Sequence, residues 1–347
     1  MRIMICYLPV SLLLGFVGAQ VEDDFNRYGA DASIIGNVPP NTYSWFAQGT
    51  SDKVDIIDWS GCSGALISDE WVLAAAHCAG YTTGFRIGAL CHPFENGENG
   101  ENNCNQYTES FKNQKTVVHP LRNRYPTGDH DFALFKLDGI SAITPVPLDG
   151  WDARSTAVDD DETLAQGQKL QAIGLGGHPA RLKQVEVSYI TNKSCCTDHL
   201  YECHWLTDNK MCAFGGRGKD ACYGDSGGPL YDGENNRLVG VNSFSPMNTC
   251  GLGRHPGVYA RVSAQVEWIR SIVCNDSENI PDWCNAVQFS ACNQKRSHEF
   301  FKGGKVAIKT CDWLRKVSRK QRDRICKKTE RVGEYSTPSK VCCKVCK

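Results

Sequence analysis

The sequence predicts an all-β fold, a barrel or a sandwich, over most of its 347 residues. Between Ile34 and about Val273, short runs rich in β-branched and aromatic residues alternate with Gly, Pro and Asn clusters. No helices are interleaved with those runs, which argues against a parallel α/β sheet. Cysteines recur through the same span at a density rare in a reducing compartment.

Taken in order, the runs are "SGALIS" (63–68), "WVLAAA" (71–76), "KTVVHP" (115–120) and "DFALFKL" (131–137). "KLQAIGL" (169–175), "KQVEVSYI" (183–190), "RLVGVNSF" (237–244) and "GVYARV" (257–262) follow. One helix is expected after them. Val262, Val266, Ile269 and Val273 recur at spacings of 4, 3 and 4, and Ser263 stands where an N-cap is expected.

The ends read differently. Residues 1–19 carry Arg2, an apolar run from Ile3 to Val17 and the small residues Gly18 and Ala19, the pattern of a secretory signal cut after Ala19. Residues 20–33 are polar and acidic and read as a pro-segment. Residues 34–274 form the main domain, and 275–284 read as a polar linker. A basic cysteine-rich tail occupies 285–347. No internal run reaches the eighteen or so apolar residues of a transmembrane segment, so none is expected.

Of 19 cysteines, Cys6 leaves with the signal and 18 remain, an even number suited to disulfides. Secretion follows as the expected localisation, and sequons at Asn192 and Asn275 fit a glycoprotein. The net charge of −1 hides a split. The tail holds 17 Lys and Arg against 5 Asp and Glu, a balance of +12, which leaves 21 against 34, or −13, before it. Its six cysteines (292, 311, 326, 342, 343 and 346) supply most of the stability that so small a segment needs.

Three pieces point to chemistry. "AAAHC" places His77 beside Cys78, sixteen residues after Cys62. "DFALFKL" opens on Asp131, and "GDSGGPL" holds Ser226. A serine hydroxyl attacks only when a base takes its proton, and that base needs an acid to orient it. His130, next to Asp131, reads as a solvated loop residue.

The order His, Asp, Ser, with "IIGN" at 34–37 and "HPGVYARV" at 255–262, resembles the trypsin/chymotrypsin family of serine proteases. The resemblance spans about Ile34 to Val273 and implies two six-stranded antiparallel β-barrels with a C-terminal helix. It implies a serine endopeptidase, made as a zymogen, that works through His77, Asp131 and Ser226. The backbone N–H groups of Gly224 and Ser226 would form the oxyanion hole. Asp225 would pair with a new N-terminus at Ile34 after activation. Ile34 follows Asp31-Ala32-Ser33 rather than the usual Arg or Lys, so either another protease activates the chain or a first cut after Arg27 is trimmed.

The same resemblance puts Asp220 at the base of the primary specificity pocket, with Ser243, Ser245 and Gly257 on its walls, and so implies cleavage after Arg or Lys. Pairing of Asp220 with Lys219 is the plainer alternative. Six residues separate Ser243 from Cys250, two more than in familiar trypsins, and Ser245-Pro246 replaces a usual glycine. Disulfides Cys62–Cys78 and Cys222–Cys250 are implied, with Cys212 bound to Cys195 or Cys196. Leu170 and Asp232 fill the places of a bridge lost whole. Cys91 and Cys104 bracket an acidic surface loop. Ala89-Leu90 replace a calcium ligand there, so no metal and no cofactor are expected.

The tail weakly resembles six-cysteine modules related to the sea-anemone ShK toxin. Its charge suits an anionic glycan or acidic surface, or else a solvated face. Protein or peptide substrates are the expected partners, and nucleic acid is not. An alternative is a catalytically silent homologue that binds other proteins or acts in an inhibitor-like way.

Overall fold

The computed structural model describes residues 38–39, 41–52, 58–91, 108–123, 128–150, 164–176, 181–198, 201–216, 218–245, 255–285, 297–302, 305–310, 316–320 and 322. Strands β1 (Phe46–Ser51), β2 (Asp58–Ser68), β3 (Trp71–Ala74), β4 (Gly84–Ile87), β5 (Glu109–Val118) and β6 (Ala133–Leu137) close one barrel in the order β1-β2-β3-β6-β5-β4. Strands β7 (Lys169–Gly174), β8 (Lys183–Ile190), β9 (Lys210–Phe214), β10 (Pro229–Asp232), β11 (Arg237–Phe244) and β12 (Gly257–Arg261) close a second, in the order β10-β11-β12-β9-β8-β7. All ladders are antiparallel, as the fold expectation required.

Each barrel buries the inward set of its alternating side chains. Trp71, Phe46, Phe85 and Phe135 fill the first, with the Phe85 and Phe135 rings edge to face at 5.1 Å. Leu170, Val187, Tyr189, Met211, Leu230 and Tyr259 fill the second. Asp232 is as buried as Leu170. Its charge is met by Arg237 Nε at 3.0 Å, Gln168 Nε2 at 3.0 Å and Asn235 Nδ2 at 2.8 Å. A polar hub therefore stands where the family bridge was expected to be missing.

Cys62–Cys78 forms as expected, and Cys212 takes Cys195. A bridge that the sequence reading did not anticipate joins Cys196 to Cys203. Cys91 and Cys222 are also disulfide-bonded, but their expected partners Cys104 and Cys250 lie outside the described residues. So do the six tail cysteines, the signal, the pro-segment and the acidic loop 92–107. In the tail, β13 (Ser297–Lys302) and β14 (Lys305–Thr310) form a hairpin.

Two expectations need correction. The helix runs Val266–Asp276 and starts from Gln265 without a side-chain cap, so Ser263 is not its N-cap. The reason is a turn ahead of it, closed by Gln265 N–H donating to the Val262 carbonyl at 2.8 Å. Residues 275–284, read as a linker, are docked. Cys274–Cys284 closes the segment, and the buried Glu70 carboxylate accepts the N–H groups of Glu278 (3.0 Å) and Asn279 (2.6 Å). Trp71 Nε1 donates to Ser277 Oγ at 3.1 Å, and Lys136 Nζ to the Asp276 carbonyl at 2.6 Å. A buried carboxylate and a buried ammonium require partners, and the strap supplies them.

Candidate active site

His77 sits on a single 3-10 turn, Ala76–Cys78, at the end of β3. Asp131 lies just before β6, where His130 turns the chain with a left-handed φ of 53°. That turn aims the Asp131 carboxylate at the histidine. Its Oδ1 accepts the His77 backbone N–H at 2.9 Å, and its Oδ2 lies 2.7 Å from His77 Nδ1. Ser243, on β11 of the other barrel, donates its hydroxyl to the same Oδ2 at 2.7 Å. Burial alone would push the Asp131 carboxyl up; the His77 bond and charge, the Ser243 hydroxyl and the His77 amide together hold it below the ordinary carboxylate value. Facing an ionised carboxylate, which can only accept, Nδ1 is the donor of this contact.

Ser226 arrives from the second barrel. Its backbone bridges to Cys62 on β2, with Ser63 N–H donating to the Ser226 carbonyl at 2.7 Å. Cys62 is bonded to Cys78, the neighbour of His77, so one disulfide ties the serine segment to the histidine turn. Gly227 makes the approach feasible. It has a φ of 75°, and a Cβ there would lie 2.4 Å from the Ser63 carbonyl. Gly224 holds a φ of 93°, which a side chain would resist.

Asp225 is fully buried behind Ser226. Its Oδ1 accepts Gly176 N–H and its Oδ2 accepts Cys222 N–H, both at 2.8 Å. Burial pushes this carboxyl up to about 6, against the pull of those bonds and of Lys183. Gly174 forms the cradle, since a Cβ there would lie 2.0 Å from Oδ1. Ile34 lies outside the described residues. Asp220 is also buried, its Oδ1 accepting Ala221 N–H at 2.8 Å and lying 2.8 Å from where a Gly257 Cβ would stand. Lys219 is exposed, unlike the carboxylate next to it.

The trypsin family profile matches residues 34–269. The chain belongs to the trypsin family of serine proteases. Trypsin-4 of Rattus norvegicus is 30% identical over 273 residues, covering 78% of this chain and all of the relative. Chymotrypsin-like elastase family member 1 of Canis lupus familiaris is 28% identical over 255 residues, 71% of this chain and 94% of its own. Kallikrein-12 of Homo sapiens is 31% identical over 228 residues, 62% of this chain and 82% of its own.

Within this family member, several sequence readings change. His130 is not solvated. It is 6% exposed and stacked on His119 at 4.6 Å, because the left-handed turn folds its ring inward toward Asp129. Asn192, one of the two sequons, opens the short helix Asn192–Asp198 with its Nδ2 donating to the carbonyls of Thr207 (2.9 Å) and Lys210 (3.2 Å). Asn275, the other sequon, is exposed, with its Nδ2 donating to the Ser271 carbonyl at 2.6 Å. Ser243, a candidate for the pocket wall, has a further contact that its sequence did not announce, the hydroxyl donated to Asp131. Ser245 is half-buried, and its neighbours 246–250 lie outside the described residues. Cys62, His77 and Cys78 cluster like metal ligands, but the two sulfurs are already bonded to each other. Among the described residues no helix is long and apolar enough to cross a membrane.

Proposed function

We propose that this trypsin-family protease is a secreted endopeptidase, made as a zymogen, that cleaves after Arg and Lys. His77 would accept the Ser226 hydroxyl proton at Nε2 as Oγ bonds to the substrate carbonyl carbon. The backbone N–H groups of Gly224 and Ser226 would donate to the resulting oxyanion. The imidazolium, steadied by Asp131, would return its proton to the leaving amine, giving an acyl-enzyme that water then hydrolyses through the same base.

The observation that carries this reading is the Asp131 hub. His77 is fixed at both its amide and Nδ1, and Ser243 closes the remaining side. Specificity rests on Asp220 beneath Gly257, where an Arg or Lys side chain would bring a counter-charge to a buried carboxylate. Activation rests on Asp225, whose raised value marks a buried charge that a free ammonium at Ile34 would stabilise. Support for docking of the tail on an anionic glycan is its +12 balance against −13 elsewhere.

The test is hydrolysis of matched Arg, Lys, Phe and Ala peptides by the processed chain, beside Ser226→Ala. Arg and Lys should be preferred, and the variant should bind inhibitors without turnover. Equal rates on Phe would reject the specificity, and an active Ser226→Ala would reject the nucleophile.

A further inference from the structure

Asp131 has a neighbour that the triad chemistry does not require. Arg122 Nε lies 3.8 Å from Asp131 Oδ1, on the side opposite the His77 Nδ1 contact, and the arginine side chain is only 17% exposed. The distance is too long for a hydrogen bond, so the coupling is between charges. Arg122 is held there by its loop. Its backbone N–H donates to the His119 carbonyl at 3.0 Å, and the neighbouring Leu121 N–H donates to His119 Nδ1 at 3.3 Å.

Tyr81 responds to both charges, and Lys210 to that of Asp131. Burial and then Asp131 push the Tyr81 hydroxyl up, while Arg122 pulls it down. Burial pushes buried Lys210 down, while Asp129 and Asp131 pull it up. His119 and His130 stack behind the loop and are held neutral, both pushed down mainly by burial. The groups facing Asp131 are therefore His77 from its turn, Ser243 from β11, Tyr81, Lys210 from β9 and Arg122. Of these, Lys210 and Arg122 bring cationic side chains to the carboxylate.

Resting on the triad reading above, we propose that Arg122 is a positioning residue that weakens the grip of Asp131 on a protonated His77. It thereby extends the activity of the protease to lower pH. A histidine that already holds a proton cannot take one from Ser226, so activity falls on the acid side as the ring becomes charged. Asp131 alone favours the charged ring. Arg122 shares the carboxylate and repels the imidazolium, so the ring stays neutral further into acid. The same repulsion makes the neutral ring a weaker base. Removing Arg122 therefore leaves the plateau rate unchanged or higher.

The experiment compares the processed chain with Arg122→Gln, Arg122→Met and Arg122→Lys, each scaled to its active-site titre. The Met variant keeps the stem packed if Gln disturbs the fold. The acid-side midpoint of kcat/KM against pH should rise by about half to one unit in the Gln and Met variants. Lys, which keeps the charge, should stay near the parent. The ring protons of His77, followed by NMR in Ser226→Ala with and without Arg122→Gln, should titrate with the same displacement. An unmoved midpoint in both neutral variants would overturn the proposal, as would an equal shift in the Lys variant. So would loss of plateau rate and melting temperature alone, which a purely structural role gives. If the parent chain neither turns over peptides nor accepts a titrant, the protease reading fails, while the NMR comparison still decides the role of Arg122.

Discussion

The burial of Asp225 makes a quantitative statement about the unprocessed chain. Its carboxyl is raised from 3.8 to about 6, so the folded state binds a proton more readily than the unfolded state. A raised acid destabilises the fold while ionised, and that cost is relieved as pH falls through the folded value. Linkage over these two values gives a gain of about 1 kcal/mol between pH 7 and pH 5, approaching about 3 kcal/mol in stronger acid. The raw stability will not rise, because His119 works the other way. Its folded value is pushed down to about 3 from 6.5, mainly by burial and by His130. Stability held by its neutral form is lost as pH falls through 6.5, by about 2 kcal/mol at pH 5. The assay is therefore urea unfolding of unprocessed parent and Asp225→Asn chains at both pH values. The parent should gain about 1 kcal/mol relative to the variant on acidification. After Ile34 is freed, an ammonium beside the carboxylate should abolish or reverse that difference. An unprocessed parent that loses stability relative to Asp225→Asn would refute the reasoning.

Other outcomes follow from the same contacts. Asp220→Ser should lower kcat/KM on Arg peptides about a hundredfold or more with little change in fold, measured on the matched peptide panel. Ser243→Ala removes a hydroxyl from the Asp131 carboxylate and should lower kcat/KM about tenfold while leaving the melting temperature near the parent. Glu70→Gln strips the charge that faces Lys136 at 3.6 Å and weakens the acceptor for the strap, so urea unfolding should show a loss of about 3 kcal/mol. A chain ended after Cys284 should flow through an anionic polysaccharide column that retains the full chain, with peptidase activity unchanged.

The sequence showed strands where the chain carries its own pattern. The eight runs read from alternation all lie in strands or overlap them, since each presents β-branched or aromatic side chains to a barrel interior. The four barrel strands left unread are "FAQGTS", "GFRI", "KMCAF" and "PLYD", short and with Gly, Pro or polar residues inside them. Their strand state comes from neighbours. Ala47, for example, is paired with Gly64 on one side and Ile87 on the other. Ladder partners distant in sequence are not visible in a local window.

The candidate site divides in the same way. The contact of His77 with Asp131 was legible, and Ser226 and Asp220 stood out as candidates, because each sits in a motif whose residue types suit close backbone approach and charge. Arg122 was not, because its meaning depends on a loop that returns to Asp131 and no local pattern announces it. His130 was misread for a related reason: a polar residue in a polar stretch looks solvated until its backbone turn is known. Asn192 matched a sequon, but the motif specifies only three residues and cannot report that the amide is committed inward.

The most direct test of the account is covalent labelling of the processed chain with a fluorophosphonate, followed by mapping of the modified peptide. Such a reagent requires an activated serine, an oriented base and a formed oxyanion site together. The account predicts stoichiometric label on Ser226, lost in His77→Ala and absent from the unprocessed chain. Label on another residue, or a folded and processed chain that takes none, would contradict it.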